Sequence, residues 1–126
     1  MKGKGADYEA RAARFLHKKG LRILQANYRC RCGEIDLIAR HNQYLVFVEV
    51  RSRGNPRFSS AAASVDLRKQ RKLVRTAQFF LQQHPQLAQM PCRFDVIAFE
   101  PPQSPPRDAP NWIPGAFTHS NSVNRP

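Results

Sequence analysis

Three carboxylates, Glu34, Asp36 and Glu49, stand in the most apolar stretch of a 126-residue chain, within Gly33-Glu34-Ile35-Asp36-Leu37-Ile38-Ala39 and Leu45-Val46-Phe47-Val48-Glu49-Val50-Arg51. β-Branched and aromatic residues make both runs strands, and carboxylates are not what a strand ordinarily selects. The polar insert His41-Asn42-Gln43-Tyr44 joins them as a β-hairpin. With period two, Glu34 and Asp36 share one face of the first strand, and Glu49 and Arg51 share one face of the second. A connection through that insert pairs Arg40 with Leu45 and sets Asp36 opposite Glu49. Like charges facing across a ladder repel, so a cation belongs between them. A hard divalent ion such as Mg²⁺, held by carboxylate oxygens and water, suits the spacing. A metal-free salt-bridge network of Asp36, Glu49 and Arg51 suits it equally well.

Asn27-Tyr28-Arg29, the Gly33-Glu34-Ile35-Asp36-Leu37-Ile38 block and Val46-Phe47-Val48-Glu49-Val50-Arg51 together resemble the YraN-like bacterial proteins. The resemblance runs from about Gly5 to Phe117. It implies the restriction-endonuclease-like superfamily that includes Holliday-junction resolvases, whose site is an acid, a spacer and (Asp/Glu)-x-Lys. Asp36, Glu49 and Arg51 occupy those places, with Arg51 where an active nuclease usually carries Lys. By the same resemblance Asp36, Glu49 and the carbonyl of Val50 would hold Mg²⁺ or Mn²⁺, and Glu9 on the first helix would be a further acid near the metal. Related resolvases are symmetric dimers, so a homodimer is implied too. The implied activity is metal-dependent hydrolysis of phosphodiester bonds in branched DNA. The alternative is a non-catalytic DNA- or RNA-binding module with a degenerate site. Arginine can stabilise charge and grip phosphate, but it stays protonated and cannot exchange a proton with an attacking water.

A formal net charge of +12, from 21 Lys and Arg against nine Asp and Glu, is dispersed along the chain. Such an excess attracts a polyanion, nucleic acid first and an anionic membrane surface second; charge does not choose between DNA and RNA, and the resemblance favours DNA. No apolar run approaches a bilayer span, so membrane insertion is not expected. The basic N-terminus lacks the apolar core of a signal peptide, which points to a cytoplasmic protein. Cys30, Cys32 and Cys92 are odd in number, and Cys30-Arg31-Cys32 has no second ligand pair to complete a zinc site; free thiols are favoured.

The expected architecture is a single α/β domain over residues 1–117, a mixed sheet flanked by helices in the order α-β-β-β-α-β, with a disordered tail at 118–126. The first helix runs from Asp7, its N-cap, to Lys19, with Tyr8, Ala12, Phe15 and Leu16 inward and Gly20 closing it. Leu21–Tyr28 is a strand leading into the hairpin. The loop from Ser52 to Ala63 follows the site and carries Arg53 and Arg57, read either as phosphate contacts of a mobile cover or as solubilising charges. Ser64 caps a second helix that ends near His84, before Pro85. Its inward stripe is Leu67, Gln70, Leu73, Val74, Ala77, Phe80 and Leu81. Arg68, Arg71, Lys72 and Arg75 lie opposite and, with Lys69, form the best phosphate-binding surface of the chain. Gln70 is polar within the stripe and needs a partner, either the acid cluster or a backbone carbonyl. Phe79 falls on the basic side. Arg93–Phe99 is a further strand in which Asp95 reads as a hydrogen-bonded structural acid. Proline-rich 101–110 cannot be sheet interior, and Trp112, Ile113 and Phe117 return the chain to the core.

Overall fold

The computed structural model describes residues 4–52, 65–99 and 110–117, with side chains from Asp7 onward. The loop arginines Arg53 and Arg57, Ser64 and the tail at 118–126 lie outside the described residues. Helix α1 spans Lys4–Lys18. Asp7 is therefore not its cap but an acid within the first turn, where it favours the positive end of the helix dipole. Ala12 and Leu16 of α1 are fully buried. The helix closes as expected at Gly20, whose φ of +96° lets the Leu21 amide return to the Leu16 carbonyl at 3.0 Å.

Strands β1 (Arg22–Cys30), β2 (Gly33–His41) and β3 (Tyr44–Ser52) form an antiparallel meander. Arg40 pairs with Leu45 as the spacing requires, and His41 also pairs with Tyr44. The turn is thus only Asn42 and Gln43, with Asn42 at φ +56°, a conformation asparagine tolerates. β3 then pairs in parallel with β4 (Cys92–Phe99). A parallel pair needs a crossover, and the connection contains α2 (Leu67–Gln83) and a short 3-10 turn at Pro85–Leu87. β5 (Asn111–Phe117) pairs antiparallel with β4 and completes a five-stranded mixed sheet in sequence order. The expected element order omitted this strand. It lies at the sheet edge, where Pro114 is tolerated because an edge strand need not donate every amide.

The helices cover opposite faces. Leu73, Val74, Ala77, Phe80 and Leu81 of α2 pack with Leu45, Phe47, Phe94 and Val96. Ala12 and Leu16 of α1 pack with Leu37, Val46, Val48 and Ile97. β3 alternates between the two cores, so Glu49, flanked by Val48 and Val50, faces the α2 side. In β2 the alternation breaks at the acid: Ile35 joins the α2-side core and Leu37 the α1-side core, although they are two residues apart.

Two expectations for α2 need correction. Asp66 caps the helix in place of Ser64, its carboxylate accepting the Lys69 amide at 2.9 Å. Leu67, placed in the inward stripe, is 63% exposed because the helix begins there, ahead of its contact with the sheet. Thr76 takes part in the buried face instead, fully enclosed, with its hydroxyl donating to the Lys72 carbonyl at 2.8 Å. Phe79 is half-buried against the α2-side core.

Asp95 is fully buried and structural, as its sequence context suggested. It accepts from Arg93 Nε at 3.0 Å, Arg93 Nη2 at 3.2 Å, Trp112 Nε1 at 3.0 Å and the Gly115 amide at 2.9 Å. The bonds from Trp112 and Gly115 join β5 to β4 beside the register shift between Phe94 and Val96, while those from Arg93 lie within β4.

Candidate functional site

The regular β2–β3 ladder ends at Leu37–Val48, one step before Asp36 and Glu49. There the side chain of Asp36 takes over the role of a backbone acceptor: its Oδ2 receives the Val50 amide at 2.7 Å. This bond fixes Asp36 beside the strand that carries Glu49 and satisfies an amide that the ladder has left behind. Glu9, on the second turn of α1, comes close to Asp36, whose charge and side chain act on its carboxyl. The acid implied only by resemblance thus joins the two read from the hairpin, and three separate elements supply one carboxyl group each.

The electrostatics follow from that crowding. Glu49 is pushed up to about 7, first by burial and then by the charge of Asp36, with Lys69 and Arg51 opposing. Glu9 is also pushed up to about 7, by burial, by the charge and hydrogen bond of Asp36 and by Glu34, with Arg29 opposing. The cations are close. Arg51 Nη1 donates to Glu49 Oε2 at 3.1 Å, and Lys69 Nζ lies 3.5 Å from the same oxygen. Two raised carboxyl groups, beside a third carboxylate and two cations, are what either a functional centre or a structural ion-pair network produces.

Gln70 Nε2 donates to the Val65 carbonyl at 3.1 Å, so the backbone partner is the one it takes. Lys69, grouped with the basic face, leans instead into the acid cluster and keeps about a third of its side chain exposed. Arg68, Arg71, Lys72 and Arg75 are exposed as expected. A signal for Lys69 was present in the sequence, since Lys69, Leu73, Thr76 and Phe80 follow helical spacing and place the lysine at the head of the inward ridge. Composition and spacing gave no reason to single out Arg29, whose Nε pairs with Glu34 Oε2 at 3.1 Å beside this cluster.

Mg²⁺ takes oxygen ligands, keeps several waters and often uses only one or two carboxylates. Asp36 and Glu49 fit that requirement in donor type and number, with Val50 adjoining both. Among the described residues, no group of three or more His, Cys, Asp and Glu side chains is placed to hold a metal ion. Cys30, Cys32 and Cys92 are in no disulfide. No helix among the described residues is long and apolar enough to cross a membrane.

The model of the uncharacterised protein family UPF0102 matches residues 8–99. That span holds Glu9, Asp36, Glu49, Arg51 and all of α2. A UPF0102 protein of Xanthomonas oryzae pv. oryzae is 51% identical over 116 residues, covering 90% of each chain. One of Alcanivorax borkumensis is 47% identical over 116 residues, covering 92% of each. One of Methylobacillus flagellatus is 46% identical over 118 residues, covering 94% of this chain and 99% of the relative. With the match spanning both helices and the hairpin, the chain belongs to the UPF0102 family, the YraN-like group that its Gly-Glu-Ile-Asp block resembles.

Proposed function

We propose that this protein binds nucleic acid through a restriction-endonuclease-like domain and hydrolyses phosphodiester bonds in DNA, branched DNA in particular, with Mg²⁺ or Mn²⁺ as cofactor. The observation that carries the reading is the convergence of Glu9, Asp36 and Glu49 from three elements, with Glu9 and Glu49 pushed up to about 7 by burial and Asp36. The net charge of +12 and the exposed Arg68, Arg71, Lys72 and Arg75 support a polyanionic substrate. A cytosolic location and a homodimeric form complete the proposal.

In this reading Asp36 and Glu49, with the Val50 carbonyl, would hold the metal ion, and the Val50 amide keeps Asp36 in position. An ion held there would supply Lewis acidity near neutral pH. Glu9 orients water at the edge of the cluster. Arg51 and Lys69 steady the negative charge that develops on the phosphate oxygens. Arg53 and Arg57, outside the described residues, would add phosphate contacts.

The second reading is a binding module without turnover. Its support is that Arg51 and Lys69 already hold Glu49 Oε2, as an ion-pair network would. Cleavage of labelled linear, flapped and four-way-junction DNA with Mg²⁺ or Mn²⁺ separates the two. Metal-dependent cutting lost in Glu49→Gln and Asp36→Asn supports the nuclease. Salt-sensitive binding without cutting, in the natural protein and in Arg51→Lys alike, supports the module.

A further inference from the structure

Beside the acid cluster lies a cavity of about 290 Å³ lined by Arg29, Cys30, Gly33, Glu34, Lys69 and Lys72, together with Leu73. Three of these residues are cations and one is an anion, and the anion is already bound to Arg29 at 3.1 Å. The cavity therefore has a net positive lining. It is at the lower limit of size for pockets that enclose whole small molecules, and it is more polar than they are.

Two features tie this space to the acids and shape it. Lys69 belongs to both, lining the cavity while its Nζ lies 3.5 Å from Glu49 Oε2. Gly33 forms the floor where α2 crosses the start of β2. A Cβ there would come within 3.1 Å of Lys72 Cε, 3.3 Å of Lys72 Cγ and 3.0 Å of Thr76 Oγ1. The missing side chain is what allows the stem of Lys72 to lie against β2, where it lines the cavity.

We propose that this cavity is a phosphate subsite, which seats a backbone phosphodiester of a nucleic-acid strand next to the one presented to Glu49 and Asp36. The inference rests on the nucleic-acid reading above and adds the position and residues of a second phosphate contact. Lys72 and Arg29 are its main donors, Lys69 links it to the acid cluster, and Glu34 restrains Arg29 until a phosphate competes for the guanidinium. A strand is favoured over a free anion because an occupant touching Lys69 is already beside Glu49.

The test is fluorescence anisotropy with a labelled single strand and a labelled four-way junction, in chelator and across a range of salt, so that no turnover is needed. Lys72→Gln and Arg29→Gln should each weaken binding roughly tenfold and lower the log–log salt slope by about one. Lys72→Arg should retain affinity. Glu34→Gln should tighten binding a few-fold, a gain that misfolding cannot produce. Arg40→Gln, at the far end of β2, should match the natural protein. The subsite is overturned if Lys72→Gln and Arg29→Gln keep the natural affinity and slope, or if Glu34→Gln weakens binding. If the pattern holds and no DNA is cut with metal, the subsite stands and the catalytic part of the reading falls. If the natural protein cuts DNA while binding ignores these substitutions, the reverse is true. Absence of binding to either probe overturns the subsite and the nucleic-acid reading together.

Discussion

Lys69 Nζ lies 3.5 Å from Glu49 Oε2, the same oxygen that receives Arg51 Nη1 at 3.1 Å. One cation comes from the strand of the acid and the other from the first turn of the helix across it. Arginine at position 51 therefore does not stand alone as the positive charge of the site, because a lysine reaches the acid from another element. Both are only partly buried, so each keeps a route to a phosphate at the cluster.

In the proposed nuclease, Lys69→Met should lower the initial rate of cleavage by about 10²-fold, the usual scale for losing a group that stabilises developing charge. Arg51→Lys should retain or raise the rate, since a cation remains and lysine is what the motif usually carries. Glu49→Gln should abolish metal-dependent cutting. Initial rates at saturating metal decide the matter. Equal rates for Lys69→Met and the natural protein would confine Lys69 to the ion pair.

The four hydrogen bonds on Asp95 make it the clearest polar determinant of stability. Asp95→Ala leaves the Trp112 indole and the Gly115 amide without their acceptor and removes the carboxylate partner of Arg93, which keeps His41 Nδ1 and the Tyr44 ring. It should cost about 3–5 kcal/mol, the scale of breaking a buried pair from one side. Urea unfolding followed by the fluorescence of Trp112, the single tryptophan of the chain, measures it directly. A loss under 1 kcal/mol would show that the network merely orients β5.

The hairpin was legible because its register depends on a short polar turn and on period two alone, and Arg40 does pair with Leu45. Asp95 was legible because a lone acid in an apolar strand must be satisfied. The meeting of Glu9 with Asp36 depends on how α1 packs on the sheet, and spacing along the chain does not contain that information; only the resemblance pointed to it. Lys69 groups with its basic neighbours by charge, but its helical phase, shared with Leu73, Thr76 and Phe80, turns it toward the acids. β5 was hidden by Pro114 and Gly115, which break the strand pattern but are accommodated at an edge. The cap was missed because Ser64 and Asp66 offer similar chemistry two residues apart.

Gly33 offers a test of how the sheet and α2 position Lys72. Its φ is +150°, and an added Cβ would press on Lys72 and Thr76. Gly33→Ala should destabilise the fold by about 1–3 kcal/mol and should weaken metal-free nucleic-acid binding measured below the unfolding transition. Thermal unfolding and anisotropy together distinguish the two effects. Unchanged binding in a destabilised variant would mean that Lys72 finds the same position by another path.

The acid cluster also predicts a specific pH dependence of stability. In the folded protein Glu9 and Glu49 titrate near 7, against an ordinary 4.5 that applies to the unfolded chain. Between those values the folded state holds more protons than the unfolded state, so the contribution of these residues falls as pH rises. It is fully present below 4.5, declines through the window and is lost above 7. For the largely buried Glu49 the swing is on the order of 3 kcal/mol; Glu9, which is much more open to solvent, adds less. Chemical unfolding between pH 4.5 and 8 should therefore show a decline in the natural protein that is flatter in Glu49→Gln. Mg²⁺ should restore stability to the natural protein at pH 8, where the carboxylates are ionised, more than at pH 5, and should do little for Glu49→Gln. Parallel pH profiles for the two proteins would mean that Arg51 and Lys69 neutralise Glu49 in full, and the repulsion on which metal binding depends would be absent.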